Sequence, residues 1–147
     1  MATSNPDTNL PDLRSIGVHQ PVILVADDEA MNLNLVTILM QRAGYVVLSA
    51  CDGQEGLDIS RKYPGKIDLV ISDMEMPRIN GNDLCARLLR ERPGIKAIVM
   101  SGADLKKIIG QDAPLSFLPK PFNGETLRER VRAVLAAPSR PAEQGSE

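Results

Sequence analysis

Short apolar runs of strand length alternate with helical patterns along most of this chain, and this alternation limits the possible folds more than any other feature. The first run, Val22–Ala26, is apolar throughout, which is typical of a strand buried on both faces. Similar runs follow at Tyr45–Ala50, Ile67–Asp73, Ala97–Ser101 and Leu115–Leu118. Because short connections join these strands to helices in alternation, right-handed crossovers and a parallel sheet are expected. The pattern predicts an α/β fold, a three-layer α/β/α sandwich with a five-stranded parallel sheet and about five helices.

Caps and breakers mark the predicted helices. Apolar spacing predicts a first helix from Ala30 to Ala43, ended by Gly44. The residues that carry this spacing are Met31, Leu35, Ile38, Leu39 and Ala43. Asp52 is the expected cap of a second helix, which runs from Gly53 to about Lys62.

The second half of the chain contains three more helical patterns. One follows Gly81–Asn82 and stops at Pro93–Gly94, and the last is capped by Asn123 and carries Leu127 on its apolar face. Between them, Asp104–Gln111 leaves room only for a short fourth helix.

Composition narrows the class of protein. The 147 residues include two Phe, two Tyr and no Trp, so one domain with an aliphatic core is expected. A net charge of -2 argues against direct nucleic-acid binding, which needs clustered Lys and Arg. No apolar stretch reaches the roughly 20 residues that span a bilayer, and the N-terminus does not resemble a signal peptide. With Cys51 and Cys85 far apart, we expect a cytoplasmic protein with reduced thiols.

Polar, proline-containing ends flank the alternating pattern. We expect residues 1–20 to form a flexible leader and residues 138–147 a disordered tail, with one folded domain at residues 21–137. Because only a short polar tail follows the last predicted helix, no output domain is expected on this chain.

Four of the apolar runs lead into side chains that can serve phosphoryl chemistry. Asp27 and Asp28 follow the first run, Asp73 and Ser101 end two others, and Lys120 closely follows the last. In an open parallel sheet, ligands bind in the crevice outside the carboxyl ends of the strands. Adjacent carboxylates suit Mg2+, a carboxylate can attack phosphorus, and a hydroxyl and an ammonium can bind phosphoryl oxygens. Each residue alone is better explained as part of a solvated acidic loop, a helix cap or a surface side chain, and only their convergence points to a function.

These residues stand in motifs that resemble the receiver domain of two-component response regulators, the CheY-like superfamily. The motifs are the pair Asp27-Asp28, Asp73 in Asp-Met-Glu-Met-Pro-Arg-Ile-Asn-Gly, Ser101 in Val-Met-Ser-Gly-Ala, and Lys120 in Phe-Leu-Pro-Lys-Pro-Phe. The resemblance covers about residues 21–137 and implies the flavodoxin-like strand order 2-1-3-4-5. It also implies a phosphoacceptor domain in a two-component phosphorelay.

The resemblance further implies an acceptor and a cofactor. Asp73 would be the phosphoacceptor, taking the phosphoryl group of a phosphohistidine on a histidine kinase or histidine phosphotransfer protein. The implied cofactor is Mg2+, which Asp28, Asp73 and the backbone carbonyl of Glu75 would ligate, with Asp27 holding it through water. Such a domain phosphorylates and dephosphorylates itself, so no enzyme acting on a separate substrate is expected.

A switch is implied as well. Lys120 would bind the phosphoryl group, Ser101 would hydrogen-bond to it, and Phe117 would turn inward as Ser101 moves. The altered surface would be recognised by a downstream protein target. The resemblance favours a cis bond between Lys120 and Pro121 and allows a homodimer through the fourth and fifth helices.

Other functions remain open on the sequence alone. The chain could act as a receiver-like protein-binding module without phosphorylation, or be the receiver fragment of a hybrid histidine kinase. An aspartate-dependent phosphatase fits less well, because Asp27 and Asp28 are adjacent and no cap-sized insertion is present. A flavin or nucleotide module is disfavoured because the acidic run Asp27-Asp28-Glu29 would repel a phosphate after the first strand.

Overall fold

Strands and helices alternate along the computed structural model, which describes residues 20–102 and 116–138. The elements are β1 (Val22–Ala26), α1 (Ala30–Arg42), β2 (Val46–Ala50), α2 (Gly53–Lys62), β3 (Leu69–Asp73), α3 (Gly81–Glu91), β4 (Lys96–Ser101), β5 (Ser116–Pro119) and α4 (Gly124–Ala136). All neighbouring strands are parallel, and their order in the sheet is β2-β1-β3-β4-β5. The predicted α/β fold and its strand order are therefore confirmed.

Some predictions concern residues outside the described parts of the chain. They are the leader up to residue 19, the short fourth helix at Asp104–Gln111 with its share of a homodimer surface, and the tail beyond residue 138. The last described helix, α4, corresponds to the fifth helix of the sequence prediction. Within the described ranges, no helix combines the length and the apolarity that crossing a membrane would require.

One face of the sheet packs against α2 and α3. Alternate strand residues such as Leu24, Val70 and Val99 form a buried apolar cluster with Leu57 of α2 and Leu84 of α3. Because successive side chains of a strand point to opposite faces, only every second residue of each strand can join this cluster.

The other face of the sheet packs against α1 and α4. Here Val25, Ile71 and Ile98 form a second buried cluster with Val36 of α1 and Leu127 of α4. Since β1 and β3 are buried along their whole length, the sheet is covered on both faces. The described elements therefore form the predicted three layers.

α1 buries Val36 and Met40, whereas three of the residues that carry its apolar spacing are exposed. Met31, Leu35 and Ile38 carry that spacing, yet their exposed fractions are 79%, 53% and 46%, whereas Val36 and Met40 are buried. The helix itself is confirmed, and these three residues of its apolar spacing lie on its exposed side. The reason is that α1 has apolar residues on more than one side, so spacing alone does not fix its orientation.

Helix caps lie close to their predicted positions. Gly44 follows α1 with a φ of 100°, and the side chains of Asp52 and Asn123 each accept an amide N–H three residues further on. One boundary differs: α3 begins at Gly81, which was expected to precede the helix. The side chain of Asn80 caps this end by accepting a hydrogen bond from the amide of Asp83, so the helix begins earlier than the sequence predicted.

Candidate metal and phosphoryl site

The polar residues that follow the strands meet at the carboxyl edge of the sheet. Asp27 and Asp28 lie between β1 and α1, Asp73 ends β3, Ser101 ends β4, and Lys120 directly follows β5. The parallel register places these strand ends side by side, as the sequence predicted. Five of the predicted site residues therefore lie along one edge.

Backbone hydrogen bonds continue the pairing between neighbouring strands past the strand ends. The amide of Met74 donates to the carbonyl of Met100 at 2.9 Å, and the amide of Lys120 donates to the carbonyl of Ser101 at 2.9 Å. Sheet pairing therefore fixes the backbone on which Asp73 and Lys120 are carried, so the two side chains do not depend on a free loop for their positions.

Three carboxylates form a cluster at this edge. Asp27, Asp28 and Asp73 each offer an oxygen, and these atoms lie within 4.8 Å of one another. Asp27 is 1% exposed and Asp73 7% exposed, while Asp28 faces solvent. Like charges so close together, two of them largely withdrawn from water, repel one another unless a cation compensates them.

Asp27 supplies a test of whether a metal ion fits here. Its Oδ1 accepts a hydrogen bond from the amide of Glu29 at 2.9 Å, but its buried Oδ2 has no hydrogen-bond partner among the described residues. Burial raises the pKa of Asp27, the Glu29 amide opposes this shift, and the charges of Asp73 and Asp28 add to it. A buried, unpaired carboxylate oxygen is costly. An all-oxygen donor set of this kind fits Mg2+.

Lys120 provides a positive charge beside the cluster. Its ammonium donates a hydrogen bond of 2.6 Å to Oδ1 of Asp73. Partial burial lowers the pKa of Lys120, but the hydrogen bond to Asp73 and the nearby acidic charges outweigh that effect and leave the pKa raised. Lys120 therefore remains an ammonium ion. One such charge does not balance three carboxylates.

The remaining predicted residues lie around this centre. Ser101 is 2% exposed at the end of β4, and the side chain of Glu75 is exposed in the segment that follows Asp73. Phe117 is half-buried in β5 and packs against the cluster on the α2 and α3 side of the sheet. The Lys120–Pro121 peptide bond is cis, as the resemblance favoured.

A cavity of about 430 Å³ adjoins the site. Its lining residues are Asp27, Asn32, Leu35, Val36, Met100, Lys120, Pro121 and Phe122. Sequence reasoning did not assign Asn32, Leu35 or Phe122 to the site, although Phe122 stands in the Pro-Lys-Pro-Phe motif. Asp27 and Lys120 therefore border a largely apolar space between α1 and the segment after β5.

A comparison with protein families decides the assignment of this fold and site. The family model described as response regulator receiver domain matches residues 23–132. This chain belongs to that family. The receiver domain is the phosphoacceptor of two-component signalling, and the carboxylates at its carboxyl edge fit that chemistry.

Relatives of this receiver domain occur in larger proteins. Sensor kinase CckA of Brucella abortus is 37% identical over 117 residues, which are 78% of this chain and 12% of that protein. The alkaline phosphatase synthesis regulator PhoP of Bacillus subtilis is 30% identical over 125 residues, which are 80% of this chain and 51% of that protein. The chain therefore spans between about one eighth and one half of these curated relatives.

Solved structures agree with the receiver domain over nearly their whole length. A response regulator receiver domain protein from Clostridium thermocellum has a TM-score of 0.71 and 30% identity, covering 78% of this chain and 94% of that one. The receiver domain of hybrid histidine kinase CckA has a TM-score of 0.67 and 35% identity, covering 78% of this chain and 98% of that one.

Proposed function

We propose that the Asp73 carboxylate of this receiver domain accepts a phosphoryl group from a phosphohistidine on a histidine kinase or histidine phosphotransfer protein. The observation that carries this proposal is the hydrogen bond of 2.6 Å from Lys120 to Asp73, made beside the carboxylates of Asp27 and Asp28. This arrangement holds a nucleophile next to a positive charge at the edge where an open sheet binds ligands. Membership of the receiver family supports the same role.

The proposed transfer exchanges one bond to phosphorus for another. A carboxylate oxygen of Asp73 attacks phosphorus and forms an O–P bond, while the N–P bond of the donor breaks. The electron pair of that bond stays on the imidazole nitrogen, and the ring leaves neutral if its other nitrogen carries a proton. Lys120 then balances negative charge on the phosphoryl oxygens.

We assign Mg2+ to the carboxylate cluster. Asp28 and Asp73 would ligate it directly, the backbone carbonyl of Glu75 would be a third ligand, and Asp27 would bind through water. When bound, the ion supplies positive charge that reduces the repulsion between the attacking carboxylate and the phosphoryl oxygens. Among the described residues, Oδ2 of Asp27 has no hydrogen-bond partner and carboxylates outnumber ammonium groups at the site, and both observations support this assignment.

We assign the switch to Ser101 and Phe117. The hydroxyl of Ser101 would donate a hydrogen bond to the phosphoryl group on Asp73, and Phe117 would turn inward. Phe117 pairs with Val99 in the neighbouring strand, two residues before Ser101. Because Phe117 is only half-buried, an inward rotation would change both the surface and the core beneath it. A downstream protein target would read that change.

The donor protein is proposed to contact α1. Met31, Leu35 and Ile38 form an exposed apolar stripe on this helix, and Leu35 also lines the cavity beside Asp27 and Lys120. Exposed apolar surface next to a reactive group is typical of a protein interaction site.

The 37% identity to part of a sensor kinase also supports a second arrangement, in which such a domain serves the relay of a hybrid kinase.

A phosphorylation assay tests the proposed acceptor. Purified protein is incubated with acetyl phosphate and Mg2+, and its mass is measured with and without hydroxylamine, which cleaves acyl phosphates. We expect the wild type to gain one hydroxylamine-sensitive phosphoryl group and Asp73→Asn to gain none. Asp58→Asn, at an exposed position on α2, is the matched control and should behave as the wild type. No addition to the wild type, or equal addition to Asp73→Asn, contradicts the proposal.

A second assay tests the donor surface separately from the chemistry. Ile38→Glu places a charge in the exposed apolar stripe without replacing a residue that lines the cavity, so transfer from a phosphohistidine protein should slow. Phosphorylation by acetyl phosphate should keep its wild-type rate, because a small donor needs no protein interface. Equal slowing with both donors would show that the substitution damages the site itself.

A further inference from the structure

We propose that Gly53, at the start of α2, positions the segment between Asp73 and α3 and thereby sets the affinity of the site for Mg2+. This segment, residues 74–80, is called the acceptor loop. The inference rests on the proposed function, because it takes the Glu75 carbonyl in the acceptor loop as a metal ligand. Gly53 is not one of the residues assigned to the metal or the phosphoryl group, so the role proposed for it is that of a positioning residue.

The contact between Gly53 and Ile79 is too close for any other residue at position 53. A Cβ atom added to Gly53 would lie 2.8 Å from the Cβ of Ile79, 2.8 Å from its carbonyl oxygen and 2.9 Å from its Cγ2. The carbonyl oxygen belongs to the backbone and the Cβ is fixed to it, so neither can rotate away. A methyl group at position 53 would therefore have to displace the acceptor loop or α2.

A second contact joins the same two segments. The guanidinium of Arg78 lies 3.2 Å from Oδ2 of Asp52, while Oδ1 of Asp52 caps α2 by accepting the amide of Glu55 at 2.7 Å. Arg78 has a φ of 68°, in the left-handed region that non-glycine residues rarely adopt. Its side chain is 68% exposed, and exposed ion pairs contribute little energy, so this pair orients the loop more than it stabilises it.

The acceptor loop is short and closed, so a shift at Ile79 is passed on to its other end. The amide of Gly81 donates to the carbonyl of Met74 at 2.8 Å, and the amide of Ile79 donates to the carbonyl of Pro77 at 2.7 Å. Glu75 lies inside this closed segment. Displacing Ile79 therefore moves the backbone that presents the Glu75 carbonyl.

The test compares two glycines of the same helix. Gly53→Ala introduces the overlap with Ile79, whereas Gly56→Ala places its Cβ at an ordinary 3.4 Å from a terminal methyl of Leu84. Both glycines are buried in α2, which makes Gly56 a matched control. Mg2+ binding is measured by calorimetric titration and by the rise in melting temperature that added Mg2+ produces.

We expect Gly53→Ala to raise the Mg2+ dissociation constant by about tenfold or more, the range seen when groups that orient metal ligands are changed. Phosphorylation by acetyl phosphate should fall at limiting Mg2+ and recover at saturating Mg2+. Gly56→Ala should keep the wild-type dissociation constant. Positioning by Gly53 is refuted if Gly53→Ala binds Mg2+ as the wild type does, or if Gly56→Ala loses as much affinity.

A second variant covers the case in which Gly53→Ala does not fold. Ile79→Ala removes the outer part of the Ile79 side chain, Cγ2 included, keeps its Cβ and carbonyl oxygen, and adds no atom to α2; it too should weaken Mg2+ binding. Unchanged affinity in a folded Ile79→Ala protein would contradict the inference. A wild type that binds Mg2+ and takes up phosphate, with variants that match it, overturns only the positioning role. A wild type that does neither overturns the proposed function.

Discussion

Lys120 reaches across β4 to Asp73. Its ammonium lies 2.6 Å from Oδ1 of Asp73, although the two residues belong to the ends of β5 and β3 and β4 lies between these strands. Lys120 thus holds the same carboxylate that the proposed Mg2+ ion would use, so the two cations would compete for it.

Replacing Lys120 should therefore separate metal binding from phosphoryl transfer. In Lys120→Met the Mg2+ dissociation constant is expected to fall roughly fivefold, as for the loss of about 1 kcal/mol of like-charge repulsion. Phosphorylation by acetyl phosphate is expected to slow, because no ammonium balances the incoming phosphoryl charge. Calorimetry and mass spectrometry measure the two effects. Lys66→Met, at an exposed position before β3, should change neither, and weaker Mg2+ binding in Lys120→Met would contradict the competition.

Neutralising Asp27 should stabilise the metal-free protein. Asp27→Asn removes a buried charge whose Oδ2 has no partner in the described part of the chain, and it removes repulsion from Asp28 and Asp73. The free energy of unfolding without Mg2+ is expected to rise by about 1 kcal/mol, while the additional stability from Mg2+ shrinks. Urea denaturation with Mg2+ and with chelator measures both quantities. A destabilised Asp27→Asn protein in chelator would show that the charge is compensated in some other way.

Gly81 is expected to tolerate no side chain. A Cβ atom there would overlap the carbonyl oxygen of Asp73 and lie 2.9 Å from the Cα of Met74, both backbone atoms. Gly81→Ala should lower the free energy of unfolding by about 1–3 kcal/mol and reduce phosphorylation of Asp73, because the acceptor itself is displaced. At Gly94 a Cβ meets nothing within 4 Å, so Gly94→Ala is the control and should remain stable and active.

The ion pair between Arg61 and Glu91 predicts a small dependence of stability on pH. The Arg61 guanidinium, which donates to both oxygens of Glu91 at 3.2 and 2.7 Å, lowers the pKa of Glu91. A carboxyl whose pKa is lower in the folded state stabilises the fold above its unfolded pKa, and this contribution disappears as the pH falls through the folded pKa.

Glu91→Gln should therefore lower the melting temperature slightly at pH 7 and have no effect well below the usual Glu pKa of about 4.3. Thermal unfolding of the wild type and the variant, followed by circular dichroism at pH 7 and at a pH well below about 4.3, measures the difference in melting temperature. Glu129→Gln, at an exposed position on α4, is the control. A difference that persists at low pH would assign the effect to packing of the side chain.

The sequence was sufficient to predict which side chains meet at the site. Apolar runs identified the strands, and parallel pairing brings their carboxyl ends together, so Asp27, Asp73 and Lys120 could be grouped without coordinates. The position of a strand-end residue depends on the topology of the sheet and not on how side chains pack.

Features that depend on packing between distant segments were not predictable in this way. The guanidinium of Arg92 donates to the hydroxyl and carbonyl of Ser60 and to the carbonyls of Tyr63 and Gly65, joining the ends of α3 and α2. Nothing in the local pattern around Arg92 distinguishes it from its exposed neighbour Arg90. The contact of Gly53 with Ile79 was missed for the same reason, since Gly53 was read only as the first residue of a helix.

The strand order has a consequence for when this domain can function. The groups of the site follow β1, β3, β4 and β5, and β3 and β4 must both take their places before Lys120 can reach the carboxylates. A chain with an incomplete sheet would hold the acidic residues and the lysine apart and so lack the means to take up phosphate. Phosphate uptake at Asp73 would therefore require a completely assembled sheet, because only then do the acidic residues and the lysine meet.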